Sequence, residues 1–266
     1  MYEYPDIGDR VTAAFIKDNE PFLGYWERSE KYILSLVKKR IRSNQHISRS
    51  TGSVFLDAGC GTGRLLPEFE EYFSRLVAID PDSSQVEKAK NLVNELGFAD
   101  KVTFQVKSIA ELDCDRNTFD IILCNHVLQH VHTNSVPAIM QKFGAVLKEQ
   151  GLLFITATHS TRDYDYYVKA YLEGCEAVET EIGEEGFDSL VSDGKGILPI
   201  RFFAIRNLVR LLRDSGFELL DFRSYHTLGR MLFLDRVVDR DRFVNCFDFL
   251  KNRFGRDMLV IAQKAC

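Results

Sequence analysis

Val54-Phe55-Leu56-Asp57-Ala58-Gly59-Cys60-Gly61-Thr62-Gly63-Arg64 is the stretch that decides the fold. Its apolar residues, with one embedded aspartate, predict a short buried strand. Three glycines on alternate positions predict a turn. Leu65, Leu66, Phe69 and Phe73 then recur at helical spacing and predict a helix. Glycine lets backbone turn with positive φ and approach a bound group closely. A helix opening there would aim free N–H groups and a positive dipole end at that group.

The spacing narrows the choice of bound group. A dinucleotide fingerprint reads G-x-G-x-x-G. Here the glycines read G-x-G-x-G, and Arg64 stands where the last glycine would fall. Asp57 would also repel an adjacent pyrophosphate. A phosphate-binding P-loop needs Gly-Lys-Ser/Thr at its end, which Gly63-Arg64-Leu65 does not supply. Asp57 through Gly63 instead resembles the first motif of the class I S-adenosylmethionine (SAM)-dependent methyltransferases. The resemblance implies that Asp57, Gly59, Cys60, Gly61 and Gly63 wrap the methionine part of SAM. An acid beside the loop suits a sulfonium cation with an amino-acid end.

Working outward, Leu76-Val77-Ala78-Ile79-Asp80 is a second short apolar strand that ends in an acid. Two carboxylate oxygens there match the two hydroxyls of a ribose, and Pro81 follows. Asp82 with Gln85 predicts a capping box. Val86, Ala89, Val93 and Leu96 form the apolar stripe of the next helix, and Gly97 stops it. Val102-Thr103-Phe104-Gln105-Val106 alternates as a strand. The resemblance implies that Ser108 and Ile109 then flank the adenine, with Ser108 in place of the usual acid.

Phe119-Asp120-Ile121-Ile122-Leu123-Cys124-Asn125 is a buried strand, and His126-Val127-Leu128-Gln129-His130 is the turn after it. Ligands in open α/β sheets sit at the carboxyl ends of strands, which places Asn125 and His126 near the transferred methyl. His126 is the leading candidate base and His130 the next. The alternative is that no base acts and these histidines only shape the pocket. Leu152 to Ala157 is the fifth strand, followed by His159. Strand and helix alternate from 53 to 158, the mark of a parallel sheet with helices on both faces. Phe217 to Phe222 and Met258 to Ala262 are expected to close it as antiparallel strands, implied by the resemblance.

Two stretches stand outside this rhythm. Residues 1–50 are expected to form an N-terminal helical cap, with Tyr25 and Trp26 as substrate contacts and, alternatively, as anchors to the core. Residues 159–201 carry Tyr164 and Tyr167, and ten Asp or Glu against one Lys between Asp163 and Asp193. An insertion of that length is expected to be a substrate lid or a solvated surface. His159, Tyr164 and Tyr167 are its candidate substrate contacts. Residues 51–266 are expected to form the SAM-binding domain that carries this insertion.

Composition sets the class. The chain has 266 residues, 45% hydrophobic and 27% charged, as in a globular protein. No apolar run approaches the roughly 18 residues of a membrane span, and no charged-then-apolar leader opens the chain. Six cysteines without a C-x-x-C pair read as thiols in a reducing cytoplasm, not as a metal site. A net charge of −5 gives no support for a nucleic-acid partner.

The expected fold is a doubly wound, seven-stranded, mostly parallel α/β sheet with an N-terminal cap and an inserted lid. The expected activity is methyl transfer from SAM to a small-molecule acceptor at O, N or C. Two rivals stand: an NAD-dependent oxidoreductase on a related fold, and a non-catalytic SAM-binding partner protein.

Overall fold

The computed structural model describes residues 6–44, 52–193, 196–228 and 239–265. The boundary expected at 50/51 lies outside the described residues. So do residues 229–238 of the connection between the two closing strands.

Helices α1 (Asp6–Asn19) and α2 (Tyr25–Ser43) open the chain. Strand β1 (Val54–Ala58) is buried at every position. The helix after the glycine turn is a single turn, α3 (Leu66–Phe69), continued by a 3₁₀ turn to Tyr72. The apolar spacing that predicts this helix also serves the packing of the turn after it. Leu65, Leu66, Phe69 and Phe73 are all buried, and Phe69 and Phe73 pack on Phe55 at 5.0 and 5.1 Å. The chain must then return at once to β2 (Arg75–Asp80), where Ser74 N–H donates to Ser53 O. So short a helix adds little dipole, and the loop's own amides are what it presents.

Helix α4 (Ser83–Leu96) follows, capped by the Asp82 carboxylate, which accepts from Ser84 and Gln85 N–H. Gly97 ends it in the left-handed conformation. Leu96 is exposed, so the buried stripe is Val86, Ala89 and Val93. Next come β3 (Val102–Val106), β4 (Phe119–Asn125), α5 (Val136–Val146) and β5 (Leu147–Ser160). These strands run in parallel in the order β3-β2-β1-β4-β5. Strand β9 (Phe217–Tyr225), after helix α7 (Ile205–Asp214), and strand β10 (Asp257–Lys264) complete the expected seven. β10 lies antiparallel between β5 and β9.

The sheet has three strands beyond those seven. Stretch 159–201, expected as a lid or a solvated surface, contributes a hairpin of β6 (Tyr166–Glu173) and β7 (Glu176–Ile182). Helix α6 (Glu184–Asp193) and strand β8 (Leu198–Ala204) follow. β5 outruns its neighbours. Thr156 pairs with Asn125, the last residue of β4, and the tip His159–Ser160 pairs with Phe203 and Ala204 of β8. β6 pairs with β8, so the extra strands stand beyond the carboxyl edge of the main sheet. Helix α1 packs there too, with Val11 against Val168, Ala170, Leu198, Ile200 and Phe202.

Alternation builds the two core layers. Leu56, Ile122 and Cys124 face α5 and α7, while Phe55, Ile121 and Leu123 face α2 and α3. Short helices α8 (Arg240–Asn245) and α9 (Asp248–Lys251) lie in the connection before β10.

Candidate active site

A cavity of about 1350 Å³ opens over the carboxyl ends of β1, β2 and β4. A pocket for one small ligand is roughly 300–1,000 Å³, so this one has room for two. One half is polar and built on the glycine turn. The other half is walled by Val11, Phe15 and Ile16 of α1, Trp26 of α2, and Leu198 and Ile200 of β8.

The turn holds its shape by backbone bonds and close approach. Gly59 and Cys60 N–H both donate to Ile79 O, at 2.8 and 2.9 Å. Gly59 has φ +91, and a Cβ there would fall 2.3 Å from Val127 Cγ2. Gly63 has φ +75, and its Cβ would meet Ala89 Cβ at 2.8 Å. Gly61 N–H donates to Asp80 Oδ2 at 2.9 Å, and Asp82 N–H donates to Asp80 Oδ1 at 2.9 Å. Burial raises the Asp80 pKa, and those two bonds oppose the rise.

Asp57 is a buried polar orphan. Neither carboxylate oxygen has a hydrogen-bond partner, and the residue lines the cavity. Burial first, and then the charge of Asp80, push its pKa up to about 7. An uncompensated buried carboxylate is costly, and a cationic or donor-bearing ligand would relieve it. SAM, with its sulfonium and ammonium charges, meets that requirement. Cys60, Pro81, Ile109 and Asn125 line the same half. Ser108 lines it as well, capping a 3₁₀ turn with Glu111 in a reciprocal capping box.

The histidines form one ordered network. Thr158 N–H donates to Gln129 Oε1 at 2.9 Å, which fixes that oxygen as an acceptor. His126 Nδ1, 3.2 Å from the same oxygen, must therefore carry its proton. His126 Nε2 is then an acceptor and takes the Tyr225 O–H at 2.7 Å. The Gln129 amide donates to His130 Nε2 at 3.2 Å, and His130 Nδ1–H donates to Pro199 O at 2.7 Å. Burial lowers the pKa of both rings, His130 to about 4. His126 and His130, the expected bases, both line the cavity. Both nitrogens of each ring are engaged inside the protein.

Four of the five expected substrate contacts are placed elsewhere. Tyr25 is buried, donating to Asp241 Oδ1 at 2.6 Å and accepting from Thr227 N–H at 2.6 Å. His159 is buried, with Nδ1 against Gly255 O. Tyr164 is exposed beside Arg162, and Tyr167 stacks on Phe187 at 5.0 Å. None of these lines the cavity. Trp26 does line it.

Residues that sequence reasoning passed over complete the wall. His226 follows β9 with φ +51, and its Nδ1 lies 2.5 Å from Asp257 Oδ2. Its ring is 4.1 Å from Trp26 and 4.5 Å from Tyr225. Arg256 sits 3.8 Å over the Phe15 ring and pairs with Glu179. Glu30 of α2 bridges to Arg64 of the glycine turn at 2.7 Å. No motif of the sequence pointed to these, because the segments that carry them lie far apart in the chain.

Known proteins agree with this architecture. A family profile described as a methyltransferase domain matches residues 25–221. The ubiquinone biosynthesis O-methyltransferase of Rhodopseudomonas palustris is 29% identical over 118 residues, which is 44% of this chain and 45% of that protein. The chain thus spans under half the length of that relative. The protein of the same name from Coxiella burnetii is 27% identical over 198 residues, 74% of this chain and 77% of that one. Among solved structures, a 1,6-didemethyltoxoflavin-N1-methyltransferase from Burkholderia thailandensis, with bound S-adenosylhomocysteine, superposes with a TM-score of 0.55. It is 18% identical, and the match covers 91% of this chain and 84% of that one. The chain belongs to the methyltransferase-domain family, and its fold is that of the SAM-dependent methyltransferases.

Proposed function

We propose that the protein transfers the methyl group of SAM to an oxygen of a small, largely apolar acceptor. One observation carries this reading: a single cavity joins the glycine turn and Asp80 to an apolar wall from α1, α2 and β8. The relatives' designation as O-methyltransferases supports oxygen as the accepting atom.

When bound, SAM supplies a methyl group on a sulfonium centre, already activated for displacement. The chain's own residues supply placement. Asp80, its oxygens set by Gly61 and Asp82 N–H, would take the ribose hydroxyls with their remaining lone pairs. Ser108, Ile109 and Pro81 would flank the adenine, and Asp57, Gly59, Cys60, Gly61, Gly63 and Asn125 the methionine end. Holding two reactants in line is worth roughly 7–11 kcal/mol of barrier. α1, the β6–β7 hairpin and α6 would act as the lid that excludes water. Asp188 of α6 ties that lid to the turn after β4, accepting from Thr133 N–H and Oγ1–H at 2.9 and 2.7 Å.

The same reading takes the protein as cytoplasmic and without a nucleic-acid partner. Among the described residues five cysteines are free thiols, in keeping with a reducing compartment. No helix among the described residues is long and apolar enough to cross a membrane. The test is label transfer from methyl-labelled SAM to a panel of apolar hydroxy compounds and matched amines. Label in an ether of the hydroxy compounds is expected. Label only in amines, or in neither set, would overturn the reading.

A further inference from the structure

Two buried polar atoms on the acceptor side of the cavity, away from Asp57 and Gln85, lack partners. One is Nε2 of His226, and the other is Nε1 of Trp26, whose ring covers the imidazole at 4.1 Å. Leaving a buried donor and a buried acceptor unmade is unfavourable, and here the two rings that carry them are in contact. A hydroxyl is the group that answers both, because its proton can go to Nε2 while its oxygen accepts from Nε1–H.

The pairing behind His226 has the form of a base held by an orienting acid. The Asp257 carboxylate accepts from Nδ1–H at 2.5 Å. This fixes the tautomer and leaves the Nε2 lone pair as the free one. The backbone is fixed as well, since His226 N–H donates to Ser29 Oγ and Arg256 N–H donates to His226 O. Asp257 is buried. Burial pushes its pKa up, but His126, His226 and Arg256 together hold it below the ordinary carboxylate range. It stays charged, ready to stabilise an imidazolium. His126 and His130 have no such opening, with both nitrogens of each ring already bonded.

The geometry points to His226 as the catalytic base, its Nε2 accepting the proton of the acceptor's hydroxyl between the Trp26 and Tyr225 rings, with Asp257 as its positioning residue. This rests on the reading that the accepting atom is oxygen. The proton leaves the hydroxyl for Nε2, and the oxygen keeps the electron pair with which it attacks the methyl carbon, while the sulfur–methyl bond breaks and its pair stays on the departing S-adenosylhomocysteine. The imidazolium is stabilised by Asp257 and gives its proton to solvent once product has left. The acceptor class that follows is an apolar molecule with an acidic hydroxyl, of which a phenol is the simplest.

Trp26 is the chain's only tryptophan, so intrinsic fluorescence reports on this site without turnover. An imidazolium quenches a neighbouring indole more than a neutral imidazole does. Transfer of a bound phenol's proton to His226 should therefore quench Trp26, an effect that His226→Gln abolishes and Asp257→Asn weakens. Asp257→Glu should restore it in part, which a merely structural acid would not do. The charged and titratable groups facing His226 are Asp257 and Arg256 beside it, Tyr225 on β9, His126 after β4, Glu30 on α2, and Asp241 through Ser29.

The second arm uses unmodified protein saturated with S-adenosylhomocysteine, and 4-nitrophenol as the probe. Its absorbance reports its ionisation. Binding should quench Trp26 and raise the phenolate fraction at fixed pH roughly tenfold or more, and His226→Gln should bind the probe in neutral form. Binding with no gain in phenolate in the unmodified protein would overturn the base assignment while leaving methyl transfer intact. Failure of the probe to quench Trp26 would overturn the site itself. Label transfer to amines alone, in the separate assay above, would instead overturn the choice of oxygen.

Discussion

Gly61 N–H and the Asp80 carboxylate are joined at 2.9 Å, so the loop after β1 is latched to the end of β2. The latch means that Asp80 both shapes the loop and faces the cavity. Asp80→Ala should therefore weaken S-adenosylhomocysteine binding by more than a ribose contact alone explains. Two charge-assisted bonds are worth on the order of 1.5–3 kcal/mol each, a loss of a hundredfold or more in affinity. Calorimetry showing unchanged affinity would remove Asp80 from the cofactor site.

Asp57 makes stability depend on pH in a defined direction. Its folded pKa of about 7 lies above its unfolded value near 4. The folded state thus holds the proton more tightly, and this contribution is present below pH about 4 and lost as pH rises through 7. Cofactor-free protein should unfold more easily at pH 8 than Asp57→Asn does, by an amount on the order of 4 kcal/mol. The difference should vanish in acid. Denaturant melts that give parallel pH curves for the two proteins would contradict this. The same variant should bind S-adenosylhomocysteine more weakly, since the ligand loses its counter-charge.

His126 and His226 separate cleanly in kinetics. His126→Ala should lower kcat less than about tenfold and keep the acidic limb of the pH profile, because its nitrogens serve Gln129 and Tyr225. His226→Gln should lower kcat at least about a hundredfold and leave SAM affinity unchanged. The reverse ranking would return the base to the turn after β4.

Phe15 tests the apolar wall. Its ring is held by Arg256 at 3.8 Å and faces the cavity. Phe15→Ala should raise the acceptor KM by about five- to 150-fold through lost packing of roughly 1–3 kcal/mol, with S-adenosylhomocysteine affinity intact. An equal loss for both ligands would mean that the wall is shared.

Protease access reads the proposed lid. Cleavage near Gly183, between β7 and α6, should slow when S-adenosylhomocysteine and 4-nitrophenol are both bound. Equal rates in free and loaded protein would argue that the insertion is only an extension of the sheet.

The polar half of the site was legible because its residues are local. Asp57 to Gly63, Asp80, Ser108 and Asn125 sit at strand ends or in the turns that follow, and strand ends of a parallel sheet converge. The acceptor half was not, because it is assembled from distant segments. His226 meets Trp26 and Asp257 only after α2 packs on β9 and β10 pairs beside it. Tyr164 and Tyr167 misled because a tyrosine-rich insertion resembles a binding loop. In the structure Tyr164 lies before β6 beside Arg162, and Tyr167 on β6 packs against Phe187. The helix predicted after Gly63 is a single turn for a related reason. Buried residues at helical spacing also suit one turn of helix packed on Phe55.

Stoichiometry in a single turnover tests the central claim most directly. Protein in excess is mixed with methyl-labelled SAM and a hydroxy acceptor found by the label screen, then quenched and resolved by mass spectrometry. Methyl transfer to oxygen predicts one methyl ether for every S-adenosylhomocysteine formed. S-adenosylhomocysteine without ether, or label on nitrogen or carbon, would contradict it.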